Sequence, residues 1–104
     1  MTIVGSEKQE KKLTEFAKLA KQLFPNVNEL SVKGAFRFGA RAAIKKFNFS
    51  SWEDMAKQPA SMRRKFFDEL LKEARPYLIN IIGNEKIDDF IEKVKAENEK
   101  YLKD

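Results

Sequence analysis

The chain has 104 residues and a net charge of +5 at neutral pH, and 36% of its residues are charged, yet it contains neither cysteine nor histidine. A chain of this length forms one ordinary domain that is long enough to bury its own core. The missing residue types exclude disulfides, thiol nucleophiles and imidazole acid–base catalysis, so we expect a protein that is not an enzyme and needs no metal or cofactor.

The first predicted elements are a disordered N-terminus at residues 1–5 and a helix that starts at Ser6. Ser6 fits the N-cap of a capping box, and apolar residues recur behind it at three- and four-residue steps until Pro25 ends the helix. A turn follows, in which Asn28 or Ser31 can cap the second helix. This part of the chain therefore predicts two helices joined by a short turn.

The second predicted helix carries a row of cations, which we call the basic stripe: Lys33, Arg37, Arg41 and Lys45. Because these residues recur every four positions, they share one slowly winding side of a helix that turns by about 100° per residue. The opposite side is small and apolar and consists of Ala35, Phe36, Gly39, Ala40, Ala43 and Phe47. One side of this helix is thus predicted to face the core and the other to display charge.

Two glycines interrupt this helix, Gly34 and Gly39. Each costs a helix about 1 kcal/mol relative to alanine, so something other than helix propensity has to explain them. Close packing against another helix is the simplest explanation, and the approach of a phosphate backbone is the alternative. We therefore predict a close helix contact at these two positions.

Phe38 lies beside the basic stripe and away from the apolar side of the same helix. An aromatic ring next to guanidinium groups can stack on an unpaired base. The alternatives are a second core contact or an oligomer contact, which are more common for an aromatic residue in a domain of this size. Lys46 adds a further cation at the end of the helix, and both residues join the candidate nucleic-acid site.

A short third helix is predicted to open with a capping box formed by Ser50 and Glu53. A strongly amphipathic fourth helix follows after a tight turn and carries Arg63 and Arg64 near its start. These two helices have the outline of a DNA-reading helix-turn-helix, although Ala60 stands where such a turn normally has glycine. Two helices joined by a short loop also occur in any helical bundle, so both interpretations stay open.

The last third of the chain contains three further signals. Pro76 should end or kink the fourth helix, because proline disfavours a helical residue before it. Gly83 should terminate the apolar stretch beyond that point in a left-handed conformation, and Asn84 can then cap a last helix. We predict a helical domain over residues 6–95, followed by a charged, partly frayed helical tail at residues 96–104.

The lengths of the helices and the positions of proline and glycine between them predict the fold class. The helices differ in length and are separated by proline and glycine, so we expect an all-α, single compact domain of five to six helices, packed orthogonally rather than as a long straight bundle. No apolar run approaches the roughly 20 residues of a membrane span, and the N-terminus lacks the pattern of a signal peptide. With the absence of cysteine, these features predict a cytoplasmic protein without membrane contact.

Charge is distributed unevenly along the chain. Residues 1–65 contain 14 Lys or Arg against 6 Asp or Glu, whereas residues 66–104 contain 7 against 10. Such an uneven charge distribution favours an acidic partner. A Lys- and Glu-rich protein from a hot environment can have a similar charge distribution for reasons of stability alone. We therefore predict a small basic protein that binds RNA or DNA, mainly through phosphate contacts. Its size is compatible with an origin in a virus or a mobile element.

The predicted nucleic-acid-binding residues are Lys33, Arg37, Phe38, Arg41, Lys45, Lys46, Arg63 and Arg64. The alternative function belongs to another class: a protein-interaction module, such as an inhibitor or an assembly subunit, or a homo-oligomer. In that interpretation the small apolar side of the second helix, or Phe38, contacts a protein, and the basic stripe only aids solubility. The two hypotheses differ in their expected response to salt, because phosphate contacts release counterions.

Overall fold

The computed structural model describes residues 7–100 and Leu102, and five helices account for most of them. The helices are α1 (Glu7–Leu23), α2 (Glu29–Lys46), α3 (Trp52–Ala56), α4 (Ala60–Ile82) and α5 (Ile87–Glu99). No strand occurs among the described residues, so the predicted all-α class with five to six helices in one compact domain is confirmed. The predicted disorder of residues 1–5 and the N-cap at Ser6 lie outside the described residues.

Helices α2 and α4 form the most extensively packed pair of the fold, and α1 and α2 form the next. Gly39 of α2 lies against Leu70 and Ala74 of α4, and Phe47 packs edge-on against Phe66 at a ring-centroid distance of 6.0 Å. Because residue numbers rise along α2 while their partners' numbers fall along α4, the two helices run antiparallel. This pairing fixes which side of α2 is buried and which side is exposed.

The prediction of close packing at the two glycines of α2 is confirmed at one and wrong at the other. A Cβ atom built on Gly39 would overlap the carbonyl oxygen of Leu70 and lie 3.0 Å from the Cβ of Ala74. A Cβ atom built on Gly34 would meet nothing within 4 Å. Gly39 therefore lets α4 approach α2, whereas Gly34 lies on the opposite, open side of the same helix.

An aromatic cluster joins four of the helices in the core. The ring of Phe16 in α1 lies 5.2 Å from that of Phe36 in α2 and 5.4 Å from that of Phe67 in α4. The ring of Phe36 in turn lies 6.1 Å from that of Phe90 in α5. Tilted ring pairs at such distances each add about 0.5–1.5 kcal/mol to the burial of their apolar area. The cluster therefore packs α2 against helices from both the N-terminal and the C-terminal part of the chain.

Local signals predicted some helix starts correctly and missed others. The side-chain oxygen of Asn28 accepts a hydrogen bond of 3.1 Å from the backbone N–H of Ser31, so Asn28 is the N-cap of α2. The capping box predicted from Ser50 begins one residue later. The Oγ of Ser51 accepts from the N–H of Asp54 at 3.1 Å, and the Asp54 carboxylate accepts from the N–H of Ser50 at 2.9 Å.

Helix α4 continues through Pro76 instead of ending there. Pro76 is exposed, while Ala74 and Leu78 on either side of it are buried in the core, so packing outweighs the one backbone hydrogen bond that proline cannot donate. Gly83 ends α4 as predicted, with a positive φ of 105°. The predicted cap at Asn84 is wrong, because α5 begins further along the chain and has no side-chain cap.

The C-terminal segment is only partly described. Helix α5 continues into residues 96–104 as far as Glu99 and buries Asn98, and Leu102 beyond it is buried as well. The predicted fraying of this segment stays a prediction, since residues 101, 103 and 104 lie outside the described part. No helix in residues 7–100 combines the length and the hydrophobicity that crossing a lipid bilayer requires.

Lys12 is a partly buried cation in this core, and its Nζ donates a hydrogen bond of 3.1 Å to Oδ1 of the buried Asn98. Burial lowers the pKa of Lys12 to about 8, and the charge of Arg63 acts in the same direction, opposed by Glu15. The folded protein therefore releases this proton at a lower pH than the unfolded chain does. Between those two pH values the unfolded state binds more protons, so folding becomes more favourable as pH rises.

We expect the free energy of unfolding of the wild type to rise, relative to that of Lys12→Met, as pH increases from about 7 to about 10. Urea unfolding of both proteins at the two pH values measures this difference. The other lysines cancel in the comparison because both proteins contain them. Parallel pH profiles would mean that Lys12 titrates in the folded protein as it does in the unfolded chain.

Candidate nucleic-acid interface

All four members of the basic stripe lie in α2, but burial divides them into two pairs. Lys33 and Arg37 are partly buried on the side that faces α1, whereas Arg41 and Lys45 are exposed. The division follows from helix geometry, because a step of four residues turns the helix by about 400° and moves each cation about 40° further round. The basic stripe therefore begins next to α1 at Lys33 and ends on the exposed side of α2 at Lys45.

The partly buried pair is held by one carboxylate, that of Glu10 in α1. Nη2 and Nε of Arg37 donate hydrogen bonds of 2.8 and 3.3 Å to the two oxygens of Glu10, and Nζ of Lys33 lies 3.1 Å from Oε1. The hydrogen bond from Arg37 is the largest effect and lowers the pKa of the Glu10 carboxyl below its usual value. Burial acts in the opposite direction, and Lys33 adds to the lowering. Two of the four stripe cations are thus paired within the fold, and the single carboxylate balances one of their two charges.

Arg41 and Lys45 have no hydrogen bond or ion pair to any residue that the structure describes. They lie one helical turn apart, which corresponds to a rise of about 6 Å along the axis. Both side chains are exposed to solvent. These two cations are the part of the basic stripe that can meet an external anion without first losing an internal partner.

An exposed aromatic pair lies next to the two free cations. The rings of Phe38 in α2 and Tyr77 in α4 are 4.6 Å apart between centroids, and the two residues keep 44% and 46% of their surface exposed. Arg41 follows Phe38 by three positions and is therefore its neighbour on the helix surface. Phe38 thus lies on the exposed side of α2, in contact with the ring of Tyr77 from α4.

Lys46 continues past the stripe towards α4. Its Nζ lies 3.1 Å from Oε2 of Glu69, and this hydrogen bond is the largest effect that lowers the pKa of the Glu69 carboxyl. The charge of Lys46 is therefore compensated across the α2–α4 contact, although its side chain remains exposed.

The two arginines of α4 make contacts away from the basic stripe. Nε of Arg63 donates a hydrogen bond of 2.9 Å to the carbonyl of Gln58, which closes the turn between α3 and α4. Nε and Nη2 of Arg64 donate hydrogen bonds of 3.1 and 3.0 Å to the carboxylate of Glu99 in α5. Both arginines thus support the packing around α4, and the helix-turn-helix interpretation stays a prediction.

Sequence reasoning missed two residues of this surface, Glu10 and Tyr77. Glu10 lies on a helix whose charge pattern shows only a solvated face, and Tyr77 follows a proline inside an apolar stretch. Neither position carries a local signal, because both contacts arise from the packing of α1 and α4 on α2. An acidic residue facing a cationic helix is a signal only after the packing of α1 on α2 is known.

No family model, curated protein or solved structure matches this chain. Within residues 7–100 and Leu102, no group of three or more acidic side chains is arranged to hold a metal ion.

Proposed function

We propose that this protein binds single-stranded nucleic acid on the exposed side of α2 together with Tyr77 of the adjacent α4. We call this surface the α2 face, and it consists of Phe38, Arg41, Lys45 and Tyr77. The observation that carries the proposal is the exposed Phe38–Tyr77 ring pair beside two free cations. A ring pair supplies stacking for an unpaired base, and the cations supply contacts to the flanking phosphates. The combination is the usual chemistry of surfaces that bind single strands with little sequence preference.

The proposed contacts favour a single strand over a duplex. Bases in a duplex stack on one another and offer no face to a protein ring, whereas an unpaired base can stack on the ring of Phe38. The rise of about 6 Å between Arg41 and Lys45 is comparable to the phosphate spacing of an extended strand. Gly34, one turn before Phe38, has no side chain and leaves open space for the strand to continue.

Fluorescence anisotropy titrations with single- and double-stranded oligonucleotides at two salt concentrations test the proposal. We expect tighter binding of the single strand, and we expect Phe38→Ala and Tyr77→Ala each to weaken it by about fivefold or more, because stacking is worth about 1–3 kcal/mol per base. Leu30→Ala is the matched control, since it removes an exposed apolar side chain from the same helix without removing a ring. Equal binding of duplex and single strand would contradict the proposed use of the rings.

Glu10→Gln should increase the affinity for single strands by releasing Lys33 and Arg37. The pairs that Glu10 makes are partly exposed, and such pairs contribute about 0–1 kcal/mol each, so their loss leaves the fold intact. With about −0.7 per phosphate contact, the slope of log K against log salt should steepen from about −1.4 for two cations to about −2.8 for four. Titrations of both proteins over a range of salt concentrations measure the two slopes.

Glu92→Gln is the control for this prediction, because it removes the same charge from an exposed position of α5. If Glu92→Gln strengthens binding as much as Glu10→Gln does, only net charge matters and the released cations contribute nothing specific. If Glu10→Gln leaves both affinity and slope unchanged, Lys33 and Arg37 do not reach the strand.

A specific observation also supports the alternative function, a protein-interaction module. Leu30 at the start of α2 is 79% exposed, and together with Phe38 and Tyr77 it makes the three exposed large apolar side chains among the described residues. Apolar groups on one side of a helix can dock on a protein partner or on a second copy of the chain. Light scattering of the wild type and Leu30→Glu tests the form of this alternative in which copies of the chain associate, because the substitution would break an apolar interface between copies and lower the observed mass.

A further inference from the structure

A pocket of about 280 Å³ opens between α1, α3, α4 and the C-terminal end of the chain. Its described lining residues belong to α1, α3, α4 and α5, with Leu102 beyond α5, and none of them belongs to α2 or to the α2 face. The pocket is therefore separate from the α2 face. Its volume lies just below the range for pockets that hold drug-sized ligands, about 300–1,000 Å³, so it suits a smaller molecule.

The buried lining of the pocket is mostly apolar and largely aromatic. It consists of Trp52, Met55, Phe66, Phe67 and Leu102, with Asn98 as the one buried polar side chain among the described lining residues. The mouth of the pocket is cationic and consists of Lys8, Lys11, Lys12 and Arg63, with Glu15 as the one carboxylate among the described lining residues. An apolar interior below a positive mouth is complementary to a molecule with an apolar body and an anionic head.

We propose that this pocket binds a small amphipathic anion, a carboxylate on a short alkyl or aryl chain. The chain would fill the apolar interior, and the carboxylate would lie at the mouth near Lys12 and Arg63. These two partly buried cations are close enough for the charge of Arg63 to act on Lys12. Glu15 offsets part of that repulsion, and an anion beside both cations would offset more of it, whereas a neutral or cationic head group would not.

Trp52 is the single tryptophan of the chain, so its emission reports directly on this pocket. Titrations with octanoate, octanol and octylammonium keep the alkyl chain constant and vary only the charge of the head group. We expect a saturable 1:1 change with octanoate, at least tenfold weaker binding of octanol, and no saturable binding of octylammonium. Calorimetric titration of the same ligands provides a second measurement that does not depend on the tryptophan.

Two variants localise the binding without disturbing the core. Ala56→Phe adds a ring at an exposed position that lines the pocket and should weaken octanoate binding at least tenfold. Lys8→Gln with Lys11→Gln removes two exposed cations from the mouth and should weaken it by about threefold to tenfold. Lys18→Gln with Lys95→Gln removes the same charge from exposed positions that do not line the pocket and should have no such effect.

Three results would overturn the proposal. Octanol could bind as tightly as octanoate, which would mean that the cationic mouth does not select charge. Octanoate could show no saturable binding by either emission or calorimetry. Its affinity could also be unchanged in both pocket variants, which would place the bound anion elsewhere on this basic protein.

Discussion

Gly39→Ala should lower the free energy of unfolding by about 1–3 kcal/mol, whereas Gly34→Ala in the same helix should raise it by about 0.5–1 kcal/mol. The added methyl group is the same in both variants, and so is the gain in helix propensity. At Gly39 the methyl group would overlap the Leu70 carbonyl, a backbone atom that cannot rotate away, so α2 and α4 must separate. At Gly34 the methyl group meets open space.

Thermal and urea unfolding of the two variants and the wild type measure this difference. For a domain of this size, 1 kcal/mol corresponds to a shift in Tm of about 4–8 °C, so shifts of opposite sign should be resolved easily. Gly34→Ala is the control for Gly39→Ala, because it separates the general effect of alanine in a helix from the local effect of the α4 contact. If both variants become more stable, the close approach of α2 and α4 at Gly39 is wrong.

The fold class and most helices follow from local sequence signals, because apolar periodicity and capping residues act over a few positions. The cap at Asn28 and the stop at Gly83 are of this kind. Pro76 shows the limit of such reasoning, since the burial of Ala74 and Leu78 in the core keeps α4 intact across it. The strength of tertiary packing at one turn is not visible in the local sequence.

The candidate interface could be predicted only in part. Spacing alone placed the basic stripe on one side of α2 and set Phe38 apart from the apolar side. Whether a cation is free depends on the partner helix, and Glu10 lies 27 positions before Arg37 in the chain. The pairing of Phe38 with Tyr77 likewise depends on the antiparallel contact of α2 and α4. Long-range pairing thus decided how much of the predicted surface remains available.

Replacing Arg41 and Lys45 with Glu should weaken the binding of a single-stranded oligonucleotide by at least tenfold and bring the salt dependence close to zero. These are the two stripe cations without a partner in the described structure, so they account for the two phosphate contacts expected of the wild type, a slope of about −1.4. Arg37 is left unchanged, because a glutamate there would face Glu10 and confound binding with stability. Stability should change little, since both replaced side chains are solvated.

Lys18→Glu with Lys95→Glu is the matched control, because it makes the same change in net charge at exposed positions of α1 and α5. If the α2 face is a binding site, the two double variants should differ. The control should keep the salt slope of the wild type and lose only the part of the affinity that net charge contributes. Equal losses in both would show that the α2 face is not a site. If the wild type binds neither single strands nor duplexes at low salt, the exposed rings and Leu30 instead support a protein partner.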